Sequence, residues 1–406
     1  MTEGAKEAHS AFPNGRPSLA AVFVRFLRYG MHAFGGPVIQ IASLRAELVG
    51  KERWTTHATF TRALAVYQAL PGPEATEMCC WFGHIARGRL GALAAGLGFL
   101  LPGFTLMLLC AWLYGSYGLK STWGAAACAG LQPAALASLV RAVPKVASHS
   151  LKVEGAAVAC AFACVAEWND VPFWIPLLAG AAWCGLAQRG LPLRALASCA
   201  VATAAWWTAG SASAPAVSSV GGVVAGVEGD GVAADAWLLF VTGLKAGSLT
   251  FGGAYTAIPF VRDDVVTRHA WITDDTFLDG IAIGSVIPAP LVIFTTFVGY
   301  LSAGFPGAFA ITIGMFLPAF SFTLFGHAWI DRIVNEPRMH AALDGVAAAA
   351  LGLIIVTALR LCMAQLDGVF SLSVFAVALL LLVRFSSVAK APLVLAAAAV
   401  AGLAMA

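Results

Sequence analysis

The sequence predicts an all-α integral membrane protein: a polytopic helical bundle of two homologous repeats in inverted orientation, with broken or re-entrant helices. Three observations predict it: the composition, an internal repeat and a charge bias that changes sides between the repeats. Hydrophobic residues make up 60% of the 406-residue chain and charged residues only 11%, against about 25% charged in a soluble domain. Residues 23 to 73 align with residues 240 to 290 without a gap, and 17 of those 51 pairs are identical. After a one-residue gap the match resumes, with Gly83 on Gly299, Gly88 on Gly304, Gly91 on Gly307 and Pro102 on Pro318. A duplicated hydrophobic chain punctuated by Gly and Pro is the signature of a transporter built from two halves.

The elements follow in order. Residues 1–18 form a polar tail, expected to be cytoplasmic, and no cleavable signal peptide is expected because the first apolar run carries Arg25 and Arg28. The first transmembrane repeat is assigned to 19–187. An unpaired helix, Leu193 to Trp207, and an extracytoplasmic linker rich in Gly, Ser, Ala and Val occupy 188–234. The second repeat runs over 235–406. Leu90 to Tyr114, Pro306 to Ile330 and Ala341 to Met363 are long enough to span, at about 20 residues per crossing. Shorter apolar runs are interrupted by Gly or Pro.

Orientation comes from Lys and Arg. Arg87 and Arg89, then Arg141, Lys145 and Lys152, then Arg189 and Arg194 read as three cytoplasmic loops. The loop matching the first of these, Ser302 to Pro306, carries no charge. Residues 45 to 62 carry Arg45, Lys51, Arg53 and Arg62 against two glutamates; residues 262 to 279 carry two arginines against five aspartates. An unpaired crossing between the halves would invert the second, with the N-terminus cytoplasmic and the linker outside.

The chemistry concentrates at two interruptions in each repeat. Phe34-Gly35-Gly36 matches Phe251-Gly252-Gly253, and adjacent glycines let backbone N–H groups approach an anion closely. Pro71-Gly72-Pro73 matches Pro288-Ala289-Pro290; proline stops one helix and opens the next. Irregular backbone at membrane depth is tolerated only when buried in protein or lining a water-filled cavity, so these breaks are expected to line a path. Helix N-termini offer an anion about 0.3 to 2 kcal/mol, far less than a dianion loses on desolvation. Fixed cations are therefore needed. The repeat offers Arg28 on Lys245 and Arg45 on Arg262, and the guanidinium fork matches two oxygens of a tetrahedral oxyanion. Glu74 and Glu77 follow the first PGP motif. Each reads either as a helix-start carboxylate stabilised by the dipole or as a group for proton coupling.

Phe34-Gly35-Gly36-Pro37, Trp54, Leu70-Pro71-Gly72-Pro73-Glu74-Ala75, Gly88-x-x-Gly91 and Leu101-Pro102 resemble the chromate ion transporter family in its long, two-domain form. The resemblance covers roughly residues 20 to 405. It implies a proton-motive-force-dependent exporter of chromate in a bacterial inner membrane, with the FGGP and PGP motifs at its working positions. Ala254 and Ala289 depart from those motifs in the second repeat, which weights function toward the first.

The implied partners are a chromate- or sulfate-like oxyanion and the lipid bilayer, with no nucleic acid; homodimerisation is left open. No cofactor, metal or catalytic group is expected: the nine cysteines form no C-x-x-C, the eight histidines no ligand pattern, and no Rossmann fingerprint, P-loop or nucleophile elbow occurs. A dianion leaving a cell with a 100 mV inside-negative potential gains about 4.6 kcal/mol, so potential alone supports export. The alternatives are a sulfate-type oxyanion transporter working inward and an integral membrane enzyme.

Overall fold

The computed structural model of the chain describes residues 16–34, 37–117, 122–151, 153, 155–187, 234–251, 254–325, 337–384 and 391–404. Gly35, Gly36, Gly252 and Gly253, the run Leu193 to Trp207, Lys152, Arg189, Arg194 and nearly all of the linker lie outside the described residues.

The first repeat opens with α1 (Leu19–Met31), capped by Ser18, whose hydroxyl accepts from Ala21 N at 3.1 Å. α2 (Pro37–Leu44) starts on proline and widens into a π-type coil over Arg45–Lys51. α3 (His57–Ala69) is capped by Thr56, and α4 spans Glu74–Tyr117. Then come α5 (Thr122–Ser150), α6 (Ala156–Trp168) and α7 (Trp174–Ala187). The second repeat follows the same order. It contains α8 (Ala236–Ser248), α9 (Ala257–Arg262) with its π-type extension Asp263–Arg268, α10 (Asp274–Val286), capped by Thr273 as α3 is by Thr56, and α11 (Phe294–Phe325) behind a 3₁₀ turn, Leu291–Ile293. α12 (Pro337–Gln365), α13 (Val369–Arg384) and α14 (Ala391–Leu403) close the chain.

α4 is not one rod. Arg87 (φ −145°, ψ 27°) and Gly88 (φ 61°, ψ −148°) break it, and Ala303 (φ −150°, ψ 25°) and Gly304 (φ 64°, ψ −152°) break α11 in the same way. The Gly88 and Gly304 conformations belong almost exclusively to glycine. Each break folds a short arm back along a long one. A Cβ on Gly83 would strike Gly91 and Ala95, and one on Gly299 would strike Gly307 and Ile311. Small residues let the backbones touch, the close approach that holds helices together in lipid.

The two repeats are inverted. Arg89 lies over Phe325 at 5.5 Å, Gly96 lies against Phe320, Phe104 against Phe309 at 4.9 Å, and Gly115 beside Tyr300 and Leu301. As one index rises the other falls, so the equivalent long arms run antiparallel and their turns sit at opposite ends. From Arg89 to Gly115 the arm is about 39 Å long at 1.5 Å per residue, enough to cross a bilayer core of about 30 Å.

Shorter helices pair off within each repeat. The start of α1 is tied to its turn by Arg87 Nε donating to Pro17 O at 2.7 Å, and the start of α8 to the other turn by Ala234 N donating to Ser302 O at 3.3 Å. α2 returns along α1, with Arg25 paired to Glu52. α3 returns along the short arm of α4, with Phe60 stacked on Phe82 at 6.0 Å. In the second repeat Lys245 pairs with Asp264, and Gly280 and Gly284 back onto Phe297 and Phe294. Each repeat thus holds two helical hairpins whose arms are about 13 residues, or roughly 20 Å, deep. α12 packs on α6 and α7, where Gly345 meets Gly180 and Gly352 meets Cys160; α14 packs on α5 through Gly402 and Gly130.

One sequence expectation is corrected. Arg141 and Lys145 lie inside α5, not in a loop. Pro133 and Pro144 punctuate that stretch in sequence, yet both are accommodated within the helix, as neighbouring helices allow in membrane bundles.

Candidate anion site at the hairpin tips

The four hairpin tips are the four sequence interruptions, and they meet. Gly72 N donates to Thr250 O at 2.8 Å, joining the PGP tip of the first repeat to the FGG tip of the second. The opposite pairing is bridged by a side chain: Gln40 Nε2 donates to Ala33 O at 2.7 Å and to Ala289 O at 3.2 Å. Each tip lies one short arm from its own turn, and the junction sits about halfway along the long arm of α4, where Gly103 lies against Ala289.

Proline sets the local geometry. Pro37 opens α2. Pro73 O accepts from Thr76 N at 2.9 Å and Glu77 N at 3.2 Å, starting α4, and Pro290 O accepts from Ile293 N at 2.9 Å. The second arms opened by Pro37, Pro73 and Pro290 therefore begin at the junction with their N-terminal dipole ends facing inward, and the fourth begins beside it in the 3₁₀ turn Ala254–Thr256. The glycine pairs that would add N–H donors lie outside the described residues.

Polar atoms without partners collect at this point. Gln40 Oε1, Thr76 Oγ1 and both carboxylate oxygens of Glu77 are buried with no hydrogen-bond partner among the described residues. Glu77 is 0% exposed, and a Cβ on Gly72 would lie 2.5 Å from its Oε1. Buried polar groups are normally satisfied, so such a cluster marks a place for a polar visitor. Two cations on α5 reach the same region. Lys145 interacts electrostatically with Glu74, and Arg141 with Tyr255 just beyond the second FGG tip. Sequence reasoning placed Arg141 and Lys145 on the surface and passed over Gln40, Thr76, Thr250 and Tyr255. A cation inside an apolar helix was the signal available for the first two.

The sequence-derived cations sit back from the junction. Arg28 is exposed at the end of α1, and Arg45 is exposed with its guanidinium over the Phe60 ring at 5.8 Å. Lys245 pairs with Asp264 at 2.5 Å and stands over the Phe173 ring at 4.5 Å. Arg262 gives both arms of its fork to Asp274, at 2.7 and 2.8 Å. Phe34, Pro37, Pro71, Gly72, Pro73, Glu74, Glu77, Pro288 and Pro290 are at or beside the tips; Arg28, Arg45, Lys245 and Arg262 are on the arms. A cavity of about 760 Å³ opens between α1 and α2 and runs from Pro17 to Phe34 and Gln40, with Arg28 and Glu47 on its wall. Among the described residues no group of three His, Cys, Asp or Glu side chains is placed to hold a metal.

Comparison with known proteins agrees with this architecture. The family model described as chromate transporter matches twice, over residues 20–186 and 237–403. The chain is 45% identical over 396 residues to a chromate transport protein of Pseudomonas aeruginosa, covering 95% of this chain and 92% of that protein. It is 28% identical over 398 residues to a chromate transport protein of Cupriavidus metallidurans, covering 95% and 93%, and 27% identical over 408 residues to a probable chromate transport protein of Synechococcus elongatus, covering 95% of each. No solved structure matches. The two-fold match across both repeats, together with near full-length similarity to a protein of the same description, establishes that this chain belongs to the chromate transporter family.

Proposed function

We propose that the chain exports chromate across a bacterial inner membrane, with the hairpin-tip junction as the anion site and the membrane potential as the main driving force. The observation that carries this reading is the convergence of four helix starts and the Gln40, Thr76 and Glu77 polar atoms at one buried point. The hairpins enter from opposite faces and turn back, so the protein crossed between the two faces at the junction is thin. Arg28, Arg45, Lys245 and Arg262 draw the oxyanion along the arms, and the dipole ends with Arg141 and Lys145 receive it at the centre. The N-terminus and the Arg87 turn face the cytoplasm, in line with the excess of positive charge there.

Glu77 gates occupancy. Its ionised carboxylate and a dianion repel each other across a site with little water between them, and neither has a partner to spare. The anion therefore enters together with a proton on Glu77. The species moved then carries one net negative charge, and leaving a cell with a 100 mV inside-negative potential still yields about 2.3 kcal/mol. Glu74 is the weaker candidate for this role, because Gln68 and Lys145 both act on its carboxylate, whereas no hydrogen-bond partner for Glu77 is found among the described residues.

The test is flux of labelled chromate in membrane vesicles with imposed potential and pH gradient, with labelled sulfate as competitor. Potential-driven chromate movement is expected, steeply dependent on pH, and Glu77→Gln, which resembles the protonated side chain in shape and charge, is expected to move chromate with that pH dependence gone. Sulfate moving in place of chromate would reassign the substrate, and a Glu77→Gln profile matching the parent would remove Glu77 from the mechanism.

A further inference from the structure

The repeat carries a cation and a carboxylate at matched positions in both copies, and only the second copy is closed as an ion pair among the described residues. In the second repeat Lys245 Nζ lies 2.5 Å from Asp264 Oδ1. The aligned residues of the first repeat are Arg28 and Glu47. Both line the 760 Å³ cavity, and among the described residues neither makes an ion pair. The surroundings differ in the same sense. Phe34 is 39% exposed where its counterpart Phe251 is 7%, and Ser43 is exposed on the cavity wall where its counterpart Phe260 is fully buried. In the second repeat the space is filled by Phe173, which meets the Phe260 ring at 5.4 Å and lies beneath Lys245 and Arg268. Arg268 is bonded in turn to Asp263 at 2.8 Å.

We infer that Arg28–Glu47 and Lys245–Asp264 are alternating gates, one closing as the other opens, and that the cation freed in the open copy is the first docking point for the oxyanion. The inference rests on the transport function proposed above. Two homologous repeats in opposite orientation can exchange conformations, and the exchange moves the opening from one face to the other. Here each gate is a cation and a carboxylate at matched positions on the two arms of a hairpin. Closing the pair draws the arms together across the cavity. An arriving oxyanion competes with the carboxylate for the same cation, so substrate is attracted to the open side and the carboxylate reclaims the cation when the anion has moved on. Arg25 also lines the cavity and acts on Glu47, but Glu52 already holds it, which leaves Arg28 as the cavity-wall cation without an ion pair among the described residues. The structure is thus the state open through the first repeat, held by the second-repeat pair.

The experiment reads the state of the full-length protein without needing transport. Ser43→Cys is placed in a background where the native cysteines are replaced, and its reaction with a membrane-impermeant thiol reagent is timed in vesicles of both orientations. Asp264→Asn removes the holding pair, and reaction at Ser43→Cys is expected to slow about tenfold, the effect of losing one charge-assisted contact. Glu47→Gln is expected to leave it fast or make it faster, since it can only weaken the competing gate. The exchanged variant Lys245→Asp with Asp264→Lys is expected to restore the parental rate and guards against a folding fault in the single variant. Unchanged reactivity in Asp264→Asn, or failure of the exchange to restore a slowed rate, would overturn the gate. Chromate flux is measured in parallel: accessibility that shifts as expected with no chromate movement in the parent would overturn the substrate and leave the gate standing.

Discussion

Gly72→Ala asks whether the tip geometry is functional or merely structural. Gly72 has φ +154°, and its N–H donates to Thr250 O across the repeat boundary at 2.8 Å. A methyl group there meets a backbone conformation that L-residues rarely adopt, at a cost of about 1 to 3 kcal/mol. It would also lie 2.5 Å from Glu77 Oε1 and 3.0 Å from its Cδ, so the carboxylate must move. The second repeat supplies the control: Ala289 holds the matching position and has no positive φ, so Ala289→Gly removes a methyl group without relieving strain there. If the strain is relaxed by shifting the tip, the contact with Thr250 lengthens and the site loses its register, which for about 2 to 3 kcal/mol corresponds to a loss of about 30- to 150-fold in flux. The assay is initial chromate flux per unit of membrane-inserted protein, with abundance measured by immunoblot. Gly72→Ala is expected to keep abundance and lose most flux, while Ala289→Gly changes flux less than threefold. Normal flux through Gly72→Ala at normal abundance would refute the reasoning, since it would mean the tip can absorb a methyl group and a displaced Glu77 without consequence.

Two further outcomes are expected. Topology reporters fused after Arg89 and after Ser302 should appear on opposite sides of the membrane, the first cytoplasmic; the same side for both would contradict the antiparallel long arms. Arg45→Gln and Arg262→Gln should separate by phenotype: the exposed Arg45 variant should raise the half-saturating chromate concentration about tenfold at normal abundance. Loss of Arg262 leaves Asp274 without its fork and should lower thermal stability in detergent by about 1 to 3 kcal/mol. Unchanged half-saturation in Arg45→Gln makes it a simple orienting charge, and unchanged melting of Arg262→Gln makes its pair a surface contact.

Much of this architecture was legible in the sequence because membrane constraints are severe. Gly and Pro at matched positions in two halves named the four tips, and the Gly88 and Gly304 turns fell where the repeat aligned them. The inversion could be inferred from charge alone, since an orientation bias is a one-dimensional signal. The centre of the site was harder to see. Gln40 is an ordinary residue three positions after Pro37, inside an apolar run, and only the fold carries it to Ala289, 249 residues away. Arg141 and Lys145 were hidden by a rule that works for loops and fails for a cation inside a helix with proline punctuation. Arg262 matched Arg45 perfectly in sequence, but its partner Asp274 has His57 as its counterpart, so identical residues carry different loads.

That last point explains why the halves have diverged where they have. Strict symmetry would make the two states equal in energy, and a transporter facing an uneven supply of anion gains from a resting preference for the side where substrate is waiting. The second repeat has acquired Asp264, Asp274 and Asp263 on its arms, each paired with a cation. The first repeat keeps Arg28 and Arg45 exposed and, among the described residues, without an ion pair. The loss of proline at Ala254 and of glycine at Ala289 falls in the half that is braced by these pairs. On the gate inferred above, the repeat supplies one geometry twice, and these substitutions set which copy rests closed.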